Sequence, residues 1–233
     1  MAKEKNILMI GGSSGIGLAI AQQLAATHNI IIASRNADNL SNLDVEHITF
    51  DVLKDELETS ALPEEIHGFV YCPGSINLRP QKMLKQEDYR ADMELNYFGL
   101  VKTIQKIYPQ LKKGKASIVV FSTVASKLGM PFHTSIAGAK GAVEAYAKAL
   151  AAESAPTLRI NIIAPSLTDT PLAGKLLDND AKKEKMGERH PLKRVGTAED
   201  IANLACFLLE DKSSWITGQV IGVDGGLSTL NIN

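Results

Sequence analysis

Short apolar runs rich in Ile and Val recur along the chain at residues 7–10, 30–33, 47–50, 69–72, 117–121, 159–164 and 220–223. Runs this short, apolar at successive positions, predict strands buried on both faces. Longer stretches with helical spacing lie between them. In one, Ile136, Ala139, Lys140, Val143, Ala147 and Leu150 put apolar groups and one lysine on a single face. Strands that alternate with helices predict an α/β architecture: a parallel sheet of seven strands with helices on both faces, doubly wound through right-handed crossovers. No repeat, low-complexity tract or Gly/Ser linker interrupts it, so residues 1–233 are expected to form a single domain. Two connections stand out. The one after Asp51 is brief and cut by Pro63, too cramped for a crossover helix. The stretch 171–195 is long, charged and bounded by Pro171, and it reads as a mobile surface lid whose charges solvate a helix.

Composition narrows the class of function. Apolar residues make up 45% of the chain, and 25 basic side chains against 26 acidic ones leave a net charge of −1. A nucleic-acid binder would be more basic, and no Lys/Arg run compensates. Cys72 and Cys206 are far apart and the five His do not cluster, so neither a disulfide framework nor a metal site is suggested. The apolar run near the amino terminus is too short for a signal segment or a membrane span. The expectation is a soluble cytoplasmic protein, with no nucleic-acid or membrane partner.

The candidate chemistry begins where the first strand meets Gly11-Gly12-Ser13-Ser14-Gly15-Ile16-Gly17. Glycines between a strand and a helix let backbone N–H groups approach a pyrophosphate at the helix N-terminus, where the dipole favours negative charge. The spacing is G-x-x-x-G-x-G, not the plain dinucleotide fingerprint. At the end of the second strand, Ser34 takes the place of an acid that would hold ribose hydroxyls, and Arg35 follows. A 2′-phosphate would meet a cation there, so NADP(H) is favoured over NAD(H). Asp51 and Val52 after the third strand suit the adenine amino group.

From here the chain resembles the short-chain dehydrogenase/reductase family, nearly end to end and most closely its 3-oxoacyl-carrier-protein reductase-like members. The resemblance rests on the glycine motif, Asp51-Val52, Pro73-Gly74, Leu95-Asn96-Tyr97-Phe98-Gly99, Ile163-Ala164-Pro165, the run from Arg194 to Ala202, Ile216-Thr217-Gly218-Gln219 and Val223-Asp224-Gly225-Gly226. It implies a Rossmann fold, an NAD(P)(H)-dependent oxidoreductase acting on a small carbonyl or alcohol, and a homodimer or homotetramer. It also implies that Cys72, Gly74, Pro165, Thr168 and Thr170 line the cofactor pocket. The family's Asn, Ser, Tyr and Lys fall here on Asn96, Thr123, Ile136 and Lys140. Thr123 keeps a hydroxyl, and Ser122 beside it is less well placed. An alkyl side chain at Ile136 cannot donate a proton.

Enoyl reductases of the same superfamily place their tyrosine seven residues before the lysine, which here is His133. Its imidazole is either the replacement acid or a residue that merely lines the mouth of the cleft. Ser135 and Tyr97 are weaker candidates: the first lacks an activating base, and the second is expected in the core or at an interface. Retained Asn96, Thr123, Lys140 and Thr170 favour an enzyme. Ile136 favours the alternative, a catalytically impaired homologue that binds NADP(H) as a sensor, regulatory or structural subunit. Trp215 is expected to pack near the last strand, and Met83, Met93, Met130 and Met186 to fill the core or line an acyl pocket. Cys72 reads as a small apolar residue.

Overall fold

The computed structural model of the chain describes residues 5–231, so residues 1–4 and 232–233 at the ends of the expected domain lie outside the described residues. The elements run β1 Asn6–Ile10, α1 Gly15–Leu24, β2 Asn29–Ser34, β3 Glu46–Thr49, β4 Gly68–Tyr71, α2 Gln86–Met93, α3 Gly99–Lys113, β5 Ser117–Phe121, α4 Thr134–Ser154, β6 Arg159–Pro165, β7 Thr168–Asp169, α5 Asp180–Gly187, β8 Gly196–Thr197, α6 Ala198–Leu209 and β9 Val220–Val223. Seven strands pair in parallel in the order β3-β2-β1-β4-β5-β6-β9, and β7 with β8 forms a separate two-stranded ladder. The seven apolar runs are the seven strands of the large sheet, with ends moved by a residue or so.

Strand side chains alternate between two cores. Leu8, Ile10, Ile31 and Ala33 face α3 and α4, meeting Leu100, Ile104, Ile107, Val143 and Ala147. Ile7, Met9, Ile30 and Ile32 face α1 and α6, meeting Ile20, Leu24, Ile201 and Ala205. The predicted α4 stripe is buried from Ile136 to Ala147, with Leu150 partly so.

Between β3 and β4 the chain forms only one 3₁₀ turn, Thr59–Ala61, so no crossover helix fits there. Between α2 and α3 the helix opens into one π-type turn, Glu94–Phe98. The Tyr71 hydroxyl enters there and donates to the Leu95 carbonyl at 2.6 Å. A Cβ on Gly99 would lie 2.5 Å from that hydroxyl, which is why glycine stands at this position.

The expected lid is more structured than a loop. Its basic run forms α5, capped by the Asn179 side chain, which accepts from Lys182 N. Ala173, Leu177, Gly187 and His190 are buried, and the Lys183–Asp169 and Arg194–Asp200 pairs tie it to its flanks.

Two expectations need correction. Trp215 does not pack near the last strand; it is 99% exposed, because the turn before β9 sends Ile216 inward instead. Met83 is 58% exposed, so it belongs neither to the core nor to a pocket.

Arg159 at the start of β6 closes the sheet's lower edge. Its guanidinium donates to the carbonyls of Leu208, Glu210, Ser213 and Ile216 and to the Ser213 hydroxyl, at 2.9–3.3 Å. Arg159→Met should remove about 2–4 kcal/mol of stability, because several carbonyls lose a charged donor together. Urea unfolding measures this; a loss under about 0.5 kcal/mol would mean that those carbonyls have other donors.

Candidate active site

The carboxyl ends of β1 to β6 open into a cleft of about 670 Å³. At one end, Gly11 and Gly15 take left-handed backbone angles and Ser14 caps α1 with no side-chain hydrogen bond, which leaves the helix's first N–H groups open. A Cβ on Gly17 would lie 2.5 Å from the Gly11 carbonyl oxygen, so α1 comes this close to the turn only with glycine there. Gly11, Ser13, Ser14, Gly15, Ile16 and Gly17 all line the cleft. This cradle of free N–H groups, with no side chain in the way, fits a dinucleotide pyrophosphate.

Ser34, Arg35, Asp51 and Val52 line the neighbouring wall. The Ser34 hydroxyl is turned in, donating to the Asn36 carbonyl at 2.7 Å and lying 3.1 Å from His47 Nε2. Arg35 is exposed, while Asn36, Asp38 and Asn39 share its wall. The Leu53 amide and Lys54 hold the Asp51 carboxyl below its usual range.

Toward the other end, Cys72, Gly74, Pro165, Thr168 and Thr170 line the cleft as expected. Lys140 is buried at 8% exposure, and its ammonium donates to the Phe121 carbonyl at 2.9 Å. One donor is spent and two remain. Burial draws its pKa down to about 8, while Cys72 and, less strongly, Asp92 act to raise it. Thr123 lines the cleft, and its hydroxyl oxygen accepts from Ala125 N at 3.3 Å, which leaves its hydrogen free. The Ser122 hydroxyl is committed instead to the buried carboxylate of Glu144 at 2.6 Å. Ile136 is 6% exposed and presents alkyl to the cleft. His133 precedes α4 on the cleft rim, with Nδ1 2.7 Å from the Pro131 carbonyl.

Asn96, on which the family's asparagine falls, does not line the cleft. It is 1% exposed and stands behind the wall, since Gly74 and Ser75 fill the space in front. Its Nδ2 donates to Ser75 Oγ at 3.0 Å and to the Asp92 carbonyl at 2.8 Å. Its Oδ1 is buried with no partner. Tyr97 is also outside the cleft, packed edge-on to Phe98 and Tyr146. Ser135 is not without a base: its hydroxyl donates to Asp92 Oδ2 at 2.5 Å, pointing away from the cleft.

The sequence reading missed Ser75, Asp92 and His190. Asp92 stands four residues before Asn96, so helical spacing alone puts the two on one face. His190 gave no such signal; it is buried, with Nε2 2.9 Å from Ser166 Oγ and Nδ1 3.0 Å from the Met186 carbonyl, and it fastens the far end of the lid to β6. Met130 and Met186 line the cleft, as the acyl-pocket reading allowed.

A cleft of this kind, opening where the strand order reverses about β1, defines a dinucleotide-binding protein of the doubly wound class. Comparison with known proteins turns the class into a family. The family profile described as enoyl-(acyl carrier protein) reductase matches residues 11–228. A 3-oxoacyl-[acyl-carrier-protein] reductase of Chlamydia muridarum is 31% identical over 245 aligned positions, covering 96% of this chain and 97% of that protein. A 2,5-dichloro-2,5-cyclohexadiene-1,4-diol dehydrogenase of Sphingobium indicum is 28% identical, covering 97% and 98%. The solved gluconate 5-dehydrogenase of Burkholderia cenocepacia, in complex with NADP and tartrate, superposes with a TM-score of 0.87 at 25% identity, covering 99% and 97%. The chain belongs to the short-chain dehydrogenase/reductase family of NAD(P)-binding oxidoreductases. Among the described residues no helix is long and apolar enough to cross a membrane.

Burial pushes the thiols of Cys72 and Cys206 up to about 12. The folded protein should therefore show no fast-reacting thiol toward a disulfide reagent at pH 7.5, and both should react in denaturant. Rapid labelling of Cys72 would show a wall open enough to admit the reagent.

Proposed function

We propose that the protein is an NADP(H)-dependent oxidoreductase that moves hydride between the nicotinamide and a small carbonyl or alcohol substrate, acyl thioesters included, with His133 handling the proton. The observation that carries this reading is convergence in one cleft: an open α1 N-terminus, Arg35 after β2, the buried ammonium of Lys140, the free hydroxyl of Thr123 and the imidazole of His133.

Selection of NADP(H) falls to Arg35. No acid stands at Ser34, and Asn36 and Asn39 add neutral donors that suit a phosphate better than ribose hydroxyls alone. The gluconate 5-dehydrogenase with the same fold holds NADP. Asp51 and Val52 hold the adenine, and the two unspent Lys140 donors hold the nicotinamide ribose. Ile76, Leu78, Met130, Ile136, Leu172 and Met186 give the rest of the cleft an apolar lining, suited to a substrate with an apolar body.

The bound nicotinamide supplies or accepts the hydride. Thr123 gives its free hydrogen to the substrate oxygen and orients the carbonyl. His133 keeps Nδ1–H on the Pro131 carbonyl, so Nε2 is the ring position free to work. In reduction the imidazolium passes its Nε2 proton to the developing alkoxide. In oxidation the Nε2 lone pair takes the alcohol proton. A cytoplasmic setting suits two free cysteines, and a homodimer or homotetramer suits the exposed Phe98 beside Tyr97.

NADPH oxidation should be followed against ketones, β-ketoacyl thioesters and enoyl thioesters. The native chain should turn over at least one of these, and His133→Ala should lower kcat by about 100-fold or more with NADPH affinity kept. Turnover untouched by His133→Ala would leave the ring as a lining residue. Turnover found only in Ile136→Tyr would mean a cleft that binds cofactor without this chemistry. Arg35→Ala should weaken NADPH binding more than about tenfold and leave NADH within about twofold; equal losses for both would remove the assignment to the 2′-phosphate.

A further inference from the structure

The polar cluster behind the cleft wall is more than a helix-packing contact. Asp92, on α2, is 3% exposed. Its Oδ1 accepts from Ser75 Oγ at 2.6 Å and its Oδ2 from Ser135 Oγ at 2.5 Å, so one carboxylate bridges the loop after β4 and the first turn of α4. Both are hydroxyl donors to a buried anion, the arrangement that lets a carboxylate stay charged away from water.

The bonds have a direction. Ser75 donates to Asp92, so its oxygen is left to accept, and it does so from Asn96 Nδ2. The other Nδ2 hydrogen goes to the Asp92 carbonyl, which can only accept. The Asn96 amide is thereby fixed with its oxygen turned toward Gly74, and that buried oxygen has no partner. A Cβ placed on Gly74 would be 3.6 Å from Asn96 Oδ1 and 3.6 Å from Lys140 Nζ, so the orphan acceptor and the ammonium border the same small space.

Lys140 needs a counter-charge. Its burial works against the ammonium form. From β4 it faces Cys72, whose thiol burial keeps neutral near pH 7. From its own helix Glu144 is turned to Ser122 and Ser126. From α2 it feels Asp92, the carboxylate whose charge favours its protonated form. With Ile136 where the family has tyrosine, no phenol next to Lys140 can share that task.

We propose that Asp92 is a positioning residue, the buried negative charge opposite Lys140, which also fixes the Asn96 amide through Ser75 so that its oxygen faces the lysine. Asp92 touches neither substrate nor cofactor. It acts through Lys140, and this step rests on the reading of Lys140 as the ribose-binding cation given above.

The test reads Lys140 itself. Lysine side chains labelled with ¹³C at Cε are followed by NMR against pH in the unliganded protein, and NADPH dissociation constants are measured in parallel from pH 6 to 9. Asp92→Asn keeps shape and removes charge; Ser135→Ala removes one hydrogen bond and keeps the charge. The native midpoint should fall near 8. Asp92→Asn should lower it by at least about one unit, a tenfold change in the lysine's acidity. Ser135→Ala should move it less than half as far, whatever it does to melting temperature. In the native protein NADPH affinity should fall as pH rises past that midpoint, and Asp92→Asn should shift this fall to lower pH.

A Lys140 midpoint unmoved in a folded Asp92→Asn protein would overturn the proposal and leave Asp92 as a staple between α2 and α4. If Asp92→Asn does not fold, Asp92→Ser takes its place, since it too removes the charge; it should lower the midpoint by at least about one unit, and an unmoved midpoint would overturn the counter-charge. A moved midpoint in a protein that binds no NADPH would sustain the Asp92–Lys140 coupling and remove the cofactor reading instead.

Discussion

The site depends on one topological constraint: β1 pairs in parallel with β2 on one side and β4 on the other, so the chain winds outward in opposite directions from it. Connections leave β1 and β4 toward opposite faces, and no crossover covers the gap at their carboxyl ends. Gly11, just after β1, and Pro73, following β4, meet in that gap; a Cβ on Gly11 would lie 3.3 Å from the proline ring. Everything functional is arranged around this seam. Helix α1 points its N-terminus into it, and β5 and β6 set Thr123 and Pro165 along its far side. The lid returns over it through the Ser166–His190 contact.

The second constraint is electrostatic. A lysine ammonium at 8% exposure survives only with acceptors or opposite charge close by. Phe121 supplies a carbonyl, and Asp92 supplies charge held in place by two serines. The π-type turn at Glu94–Phe98 belongs to the same arrangement. By widening the helix it sets Asn96 next to Ser75, while Tyr71 takes up the Leu95 carbonyl and Gly99 leaves it room. Irregular backbone here does positional work that a straight helix would not.

Much of this was legible in the sequence because it depends on local rules. Apolar runs of four to six residues marked the seven strands, and the glycine spacing marked the α1 cradle. The spacing back from Lys140 identified both Thr123 and the alkyl side chain of Ile136. What escaped depends on contacts between distant segments. Asp92 and Ser135 are 43 positions apart and Ser166 and His190 are 24 apart, and single-chain periodicity cannot pair them. Trp215 escaped for a different reason: an aromatic beside a strand is expected to pack, but the preceding turn gives the inward position to Ile216.

Two buried carboxylates, Glu144 on α4 and Asp92 bonded to its first turn, hold other groups of the site in place. Glu144 accepts from Ser122 and Ser126 and so fixes the segment that carries Thr123, whose own hydrogen stays free for a ligand. Asp92, on α2, accepts from Ser75 and from Ser135, which stands about two and a half turns before Glu144 on α4, on the side where Asn96 and Lys140 stand. Each acid accepts from two serine hydroxyls, and both act by holding other groups. In the reading proposed above, the proton comes from outside these networks, from the imidazole of His133 on the cleft rim, tied at Nδ1 and free at Nε2, while Ile136 lines the cleft with alkyl.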